Sequence, residues 1–329
     1  MSSSLQNSRR SFIKKLGTAG VASLIVSCSA PGTQSAISVP SITAPAIPTD
    51  ENETPTPRST SKPSLVVVRG VDAAENTRRA IEALGGIEQY VKSGADVIIK
   101  PNICTDYYPY EYGVTTNPNV VSALVSLCLG AGARRVRVMD NPFGGTAQSA
   151  YARSGIADAV AAAGGEMEVM NRNKFKAAEI PQGKDIQSWI FYKDILEADA
   201  VINVPIAKHH NLTGVTLGCK NLLGTILNRG QIHPNIHQRI ADLASLVRPS
   251  LTVVDAMRTL MANGPTGGNL NDVRVNDTII ASPDFVAADS YASTLFGLKG
   301  SDVGYIRLAG EMGLGTVELS NVAIEELAL

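Results

Sequence analysis

Short runs rich in β-branched residues recur at Leu65–Arg69, Asp96–Lys100, Arg135–Asp140, Ala200–Pro205, Leu251–Asp255 and Thr278–Ala281, separated by stretches of helical periodicity such as Ala73–Val91, Pro118–Leu129 and Ile236–Leu246. This alternation constrains the fold more than any other feature. Strands joined by helical crossovers pair in parallel, and parallel strands are buried on both faces, which is why they read as nearly continuous apolar runs. The predicted fold class is therefore α/β, a mainly parallel sheet with helices on both faces, in one domain or two lobes. Ligands of such sheets gather beyond the carboxyl ends of the strands. The residues following each run are Lys100-Pro101-Asn102, Asp140-Asn141-Pro142, Asn203–His210, Asp255, and Asp284 with Asp289.

The alternation starts only at Ser64. Ser8–Cys28 reads SRRSFIKKLGTAGVASLIVSC, the pattern of a twin-arginine export signal: Arg9-Arg10, Phe12, Lys14 and Lys15, then an apolar stretch from Leu16 to Val26. That stretch falls short of the roughly 20 apolar residues that span a bilayer. Ile25-Val26-Ser27-Cys28 resembles a bacterial lipobox, which implies cleavage before Cys28 and acylation of its thiol; a plain basic start or an uncleaved anchor is the other reading. Ser29–Pro63 is dominated by Ser, Thr, Pro and Ala with almost no aromatic residues, too little apolar surface to offset the entropy of ordering, and is expected to be a disordered tether. The expected organisation is thus a signal over 1–28, a tether over 29–63 and an α/β domain over 64–329. The protein is expected to be exported by the twin-arginine translocase and lipid-anchored in the cell envelope or periplasm. That route carries folded proteins, often with a cofactor loaded beforehand.

The net charge of −1, with no basic tail, gives no sign of a nucleic-acid partner. Cys104, Cys128 and Cys219 lack Cys-x-x-Cys spacing, so no iron–sulfur cluster of the chain's own is expected.

Between Ala200 and Ala241 the sequence contains no Asp or Glu, and all four histidines lie there. Lys208, His209, His210, Lys220, Arg229, His233, His237 and Arg239 form a cationic or titratable set suited to holding an anion and to moving protons. A solvated basic face is the plainer alternative. Lys220 follows apolar Val215-Thr216-Leu217, so burial would favour its neutral amine; equally, it could pair a buried carboxylate such as Asp140 or Asp255. His233 and His237 lie four apart near a helix start and, with Asp255, make a candidate but incomplete metal set. His209 and His210 cannot share one strand face, so at most one is functional. Thr115-Thr116-Asn117-Pro118 precedes a predicted helix, where it can hold an anion or serve as an ordinary N-cap. The candidate set is completed by Lys100, Asn102, Thr115, Thr116 and Asn221 as ligand-binding residues, with Lys220, His233, Lys208 and His209 as catalytic ones.

In order along the chain, IIKPN (Ile98–Asn102), TTNP (Thr115–Pro118), GARRVRVMD (Gly132–Asp140), NVPIAKHH (Asn203–His210), VTLGCKNLLG (Val215–Gly224), VVDA (Val253–Ala256) and SPDFVAADSYASTLFG (Ser282–Gly297) resemble the family called domain of unknown function 362. Many relatives carry a ferredoxin-like four-cysteine segment, which this chain lacks. The run from Gly214 through Lys220 to His233 is also similar to the lactate racemase family. That similarity implies Lys220 as the attachment point of a nickel-pincer cofactor and His233 as a metal ligand. Two functions follow: a tethered enzyme acting on a small carboxylate or phosphate, or a non-catalytic lipoprotein that binds an anionic solute or metal.

Overall fold

A computed structural model of the chain describes residues 63–329, so the export signal, the lipobox at Cys28 and the tether lie outside the described residues. The strands are β1 (Leu65–Arg69), β2 (Asp96–Pro101), β3 (Arg135–Val138), β4 (Glu166–Met167), β5 (Phe175–Glu179) and β6 (Ser188–Tyr192). They continue with β7 (Ala200–Val204), β8 (Ile206–His210), β9 (Gly214–Thr216), β10 (Leu251–Leu260), β11 (Val273–Ser282) and β12 (Ile324–Ala328). One ten-stranded sheet runs in the order β12, β1, β11, β10, β7, β2, β3, β4, with β8 pairing β10 and β9, while β5 and β6 form a separate antiparallel pair. The run from β10 through β7, β2 and β3 to β4 is parallel throughout; β11 lies antiparallel to both of its neighbours.

The period-two side-chain alternation of the strands divides the interior into two cores. Leu65, Val67, Ile98, Val254 and Ile280 face one side, where helices Ile236–Val247, Phe285–Ser293 and Gly304–Glu311 cover them. Val66, Val68, Val97, Ile99 and Val253 face the other, beneath helices Ala73–Ala83, Pro118–Gly130 and Ile156–Ala162. The result is an α/β fold with helices on both faces of a mostly parallel sheet.

Several boundaries differ from the sequence expectation. The helix predicted over Ala73–Val91 stops at Ala83, because Gly85 and Gly86 adopt φ of +90° and +91° and turn the chain before a short 3-10 segment at Ile87–Gln89. Strands β10 and β11 run well beyond the predicted segments and pair with each other as a long antiparallel ribbon. β8, β9 and β12 fall where no strand was predicted as such: β12 adds a parallel edge beside β1, and β8–β9 forms a short hairpin beyond the end of β7.

Candidate functional site

β2 delivers Lys100, whose ammonium is buried and donates to Asp140 Oδ1 (2.8 Å), Pro101 O (2.8 Å) and Asn221 Oδ1 (3.1 Å). Asp140, two residues past β3, also accepts from the Ile103 and Asn141 backbone N–H groups. Burial pulls Lys100 below the ordinary lysine range, and Asp140 opposes that pull. Its three protons are all placed, so Lys100 pins the floor of the site. Lys208 on β8 is equally enclosed. It donates to Val114 O (2.7 Å), Asn102 Oδ1 (3.0 Å) and the Cys104 sulfur (3.5 Å).

Lys220 differs from both. It sits in the helical turn Gly218–Asn221, held because the Gly218 and Cys219 N–H groups donate to the buried Asp289 carboxylate at 2.6 and 2.8 Å. A Cβ at Gly218 would stand 2.6 Å from Asp289 Oδ1, and one at Gly224 would stand 1.9 Å from Asp140 Oδ1, so the glycines of LGCKNLLG admit the two carboxylates. Asn221 donates to Asn203 Oδ1 (2.9 Å) and accepts from Asn102 (2.9 Å), tying the turn to β7 and to the end of β2. Lys220 itself has no hydrogen bond or ion pair among the described residues. Burial, opposed by Cys104 and reinforced by Lys208 and Arg229, lowers its pKa to about 8.

These residues line a cleft of about 390 Å³ in which Lys100, Lys208, Lys220 and Arg229 face a single carboxylate, Asp140. His233 stands exposed on the rim, and Arg229 reaches the Asn141 carbonyl. His210 and Thr216 also line the cleft. The β8–β9 register explains them: His210 lies two residues from Lys208 and so shares its face, and Thr216 is the cross-strand partner of Lys208. His210 Nδ1 accepts from the Leu212 N–H (3.1 Å), which leaves the ring proton on Nε2, and burial next to Lys220 and Lys208 lowers its pKa to about 3. It is thus a neutral donor. Thr216 Oγ1 is buried without a hydrogen-bond partner among the described residues.

The structure therefore gathers Lys100, Asn102, Lys208, Lys220, Asn221 and His233 in one cleft and leaves other candidates elsewhere. His209, on the opposite strand face from Lys208, accepts from the Gly264 N–H (3.1 Å); His210 takes the place expected for it. Thr115 and Thr116 donate to the Asn102 and Val204 carbonyls, so their hydroxyls stitch the Asn102 loop to β7 instead of facing the ligand space. Asp255 accepts from the Asn117 and Met257 N–H groups at 2.7 and 3.0 Å, with burial raising its pKa to about 6. His237 packs beside Tyr305, their ring centroids 6.3 Å apart. The expected set His233, His237 and Asp255 is not assembled, and among the described residues no three His, Cys, Asp or Glu side chains converge as metal ligands. Thr216 and His210 were within reach of sequence reasoning, had Ile206–Thr216 been recognised as a hairpin with one face toward the ligand.

The family described as Domain of unknown function (DUF362) matches residues 97–294, a span that contains every cleft residue named above. Thylakoid-associated protein sll1697 from Synechocystis sp. is 26% identical over 247 residues, 72% of this chain and 74% of that protein. Among solved structures, the lactate racemase apoprotein from Thermoanaerobacterium thermosaccharolyticum superposes with a TM-score of 0.41 at 13% identity, over 67% of this chain and 54% of the other. A structural-genomics protein from Thermotoga maritima gives 0.42 at 12% identity, over 70% of this chain and 60% of its own. The chain thus spans only about half to three-fifths of the solved chains it matches.

Proposed function

The chain belongs to the family described as Domain of unknown function (DUF362), and from that premise we propose that its cleft binds a small oxyanion, a carboxylate or phosphate, and acts on it as an enzyme. One observation carries the reading: among the described residues Lys220 is a cation without a partner, in a cleft where Lys208 and Arg229 already exceed the one carboxylate that Lys100 neutralises. Lys220 is half-buried, and a partly desolvated charge left this way is unfavourable until a counter-charge arrives. An oxyanion supplies it, with the Thr216 hydroxyl and His210 Nε2–H as further donors.

Because Lys220 titrates near 8, it can hold a proton or release one close to neutral pH, the property required of a general base or an amine nucleophile. His233 on the rim is the second proton carrier. The same free amine suits covalent attachment of a cofactor, the metal set apart. We place the domain in the cell envelope, tethered through Cys28 and exported by way of Arg9-Arg10. The thylakoid association in the name of the Synechocystis relative agrees with a membrane location.

Titration calorimetry of the full chain with inorganic phosphate and with acetate tests the binding. Lys220→Ala should abolish it and Lys220→Arg should restore most of it, whereas turnover should be lost in both. Retained binding in Lys220→Ala would sink the reading. Intact mass of the exported chain under denaturing conditions checks for an adduct on Lys220. Cys28→Ser should release the protein from membranes, and replacing Arg9-Arg10 by lysines should hold it in the cytoplasm.

A further inference from the structure

A lone oxyanion does not fill this cleft. At about 30 Å³ for each water-sized group, a carboxylate or phosphate head takes on the order of 100–150 Å³, which leaves the larger part of about 390 Å³ open. That volume falls in the range of sites that enclose whole organic ligands, roughly 300–1,000 Å³.

The remaining space has a character of its own. The polar floor is closed to solvent, Lys100, Asn102, Lys208 and Thr216 being at most 4% exposed, whereas Phe143 and Leu212 stand 55% and 52% exposed at its border. Leu223 and Ile236, half-buried against the core, continue the apolar wall. Exposed apolar side chains scattered singly need no explanation, but a group around one cleft does. The backbone at Phe143 and Leu212 is also held in place. The Phe143 N–H donates to the Cys104 carbonyl (2.8 Å) and the Leu212 N–H to His210 Nδ1 (3.1 Å), so each apolar rim residue is hydrogen-bonded to a residue lining the cleft. On the floor, the buried Thr216 hydroxyl has no hydrogen-bond partner among the described residues.

We infer that the ligand is an amphiphilic oxyanion, its carboxylate or phosphate head at Lys220 and Thr216 and its apolar body against Phe143, Leu212 and Ile236. This rests on the oxyanion reading above and adds the class of body the ligand carries. A membrane lipid and a soluble acyl or alkyl metabolite share that chemistry.

The test is calorimetry of the full chain with acetate, butanoate, hexanoate and octanoate, and with inorganic phosphate against hexyl and octyl phosphate, all below their micellar concentrations. Affinity should rise about two- to fourfold per methylene, the increment expected for burying each CH₂. Phe143→Ala and Leu212→Ala, both on exposed positions that the fold does not depend on, should flatten that rise while leaving acetate and phosphate within about twofold. Equal affinity for acetate and octanoate, both lost in Lys220→Ala, would overturn the amphiphile and leave the oxyanion reading standing. Octanoate binding that survives Lys220→Ala, or no binding of any probe, would remove both. Once chain-length dependence is seen, competition between octyl phosphate and phosphatidylcholine vesicles containing phosphatidate identifies the source. Displacement by the vesicles assigns the site to a membrane lipid, and its lack assigns it to a soluble amphiphile.

Discussion

Two clusters of charge, each around a buried residue, lie three residues apart on the same strand and loop, one around Arg137 and one around Asp140, and they are built on opposite principles. Arg137, in β3 and 3% exposed, pairs with Asp96 (2.8 Å), Asp194 (2.5 Å) and Glu168 (3.3 Å), and Lys174 joins the last two at 2.8 and 3.2 Å. Every cation there has carboxylates within reach. Despite their partial burial, hydrogen bonds hold Glu168 and Asp194 below the usual carboxylate range. In the cleft, among the described residues, three lysines and an arginine share Asp140 alone, and Lys220 has no partner. The contrast teaches that burial of charge does not by itself mark a site. A cluster that closes its own balance holds the fold; one left with an excess cation is where we propose that a counter-charge from outside binds.

The largest effect should come from breaking the closed cluster. Arg137→Met would leave Asp96, Asp194 and Glu168 without their shared cation and should cost about 3–5 kcal/mol of stability in urea unfolding, with phosphate binding by the folded fraction unchanged. Loss of binding in folded Arg137→Met would mean the clusters are coupled. Next, Asp289→Ala should cost on the order of 2–3 kcal/mol by orphaning two buried N–H groups, and it should weaken phosphate because the turn bearing Lys220 loosens. Asp289→Asn, which keeps an acceptor, should do less of both. Lys220→Met should run the other way, stabilising the ligand-free protein by roughly 1–3 kcal/mol while losing phosphate affinity at least tenfold. A destabilised Lys220→Met would show that the open cluster is closed after all and erase the contrast.

Much of this was legible in the sequence, for one physical reason. In a mostly parallel sheet the strands end on the same side, so Lys100-Pro101-Asn102, Asp140 and Lys208, distant in the chain, had to converge. The carboxylate-free stretch Ala200–Ala241 was legible as an excess of cation because no local acid could cancel it. What could not be read was direction. Thr115 and Thr116 stand at a strand end and a helix start, yet their hydroxyls turn inward to backbone carbonyls, and choosing between His209 and His210 required the β8–β9 register. The closed cluster was hidden too, since Asp96, Glu168, Lys174 and Asp194 come from four separate segments of the chain and show no motif.

The sharpest test of the contrast is the pH dependence. Lys220 titrates near 8 in the free protein against 10.5 for an ordinary lysine, so between those values the unfolded chain binds the extra proton and the folded one does not. Stability of the ligand-free protein should therefore rise as pH goes from about 8 toward 10.5, and Lys220→Met should lack that rise. Binding has the opposite sign. Hexanoate stays ionised throughout this window, so its affinity should hold below pH 8 and fall above it as the ammonium loses its proton, by up to tenfold per pH unit once well past the transition. Bound anion favours the charged amine, so the fall begins somewhat above the free-state value and binding takes up protons in that range, which calorimetry in buffers of different ionisation enthalpy reads directly. In Lys220→Arg the profile should be flat, because guanidinium keeps its charge. A wild-type profile equally flat from pH 7 to 10 would mean that Lys220 is not the group that closes the cleft's charge.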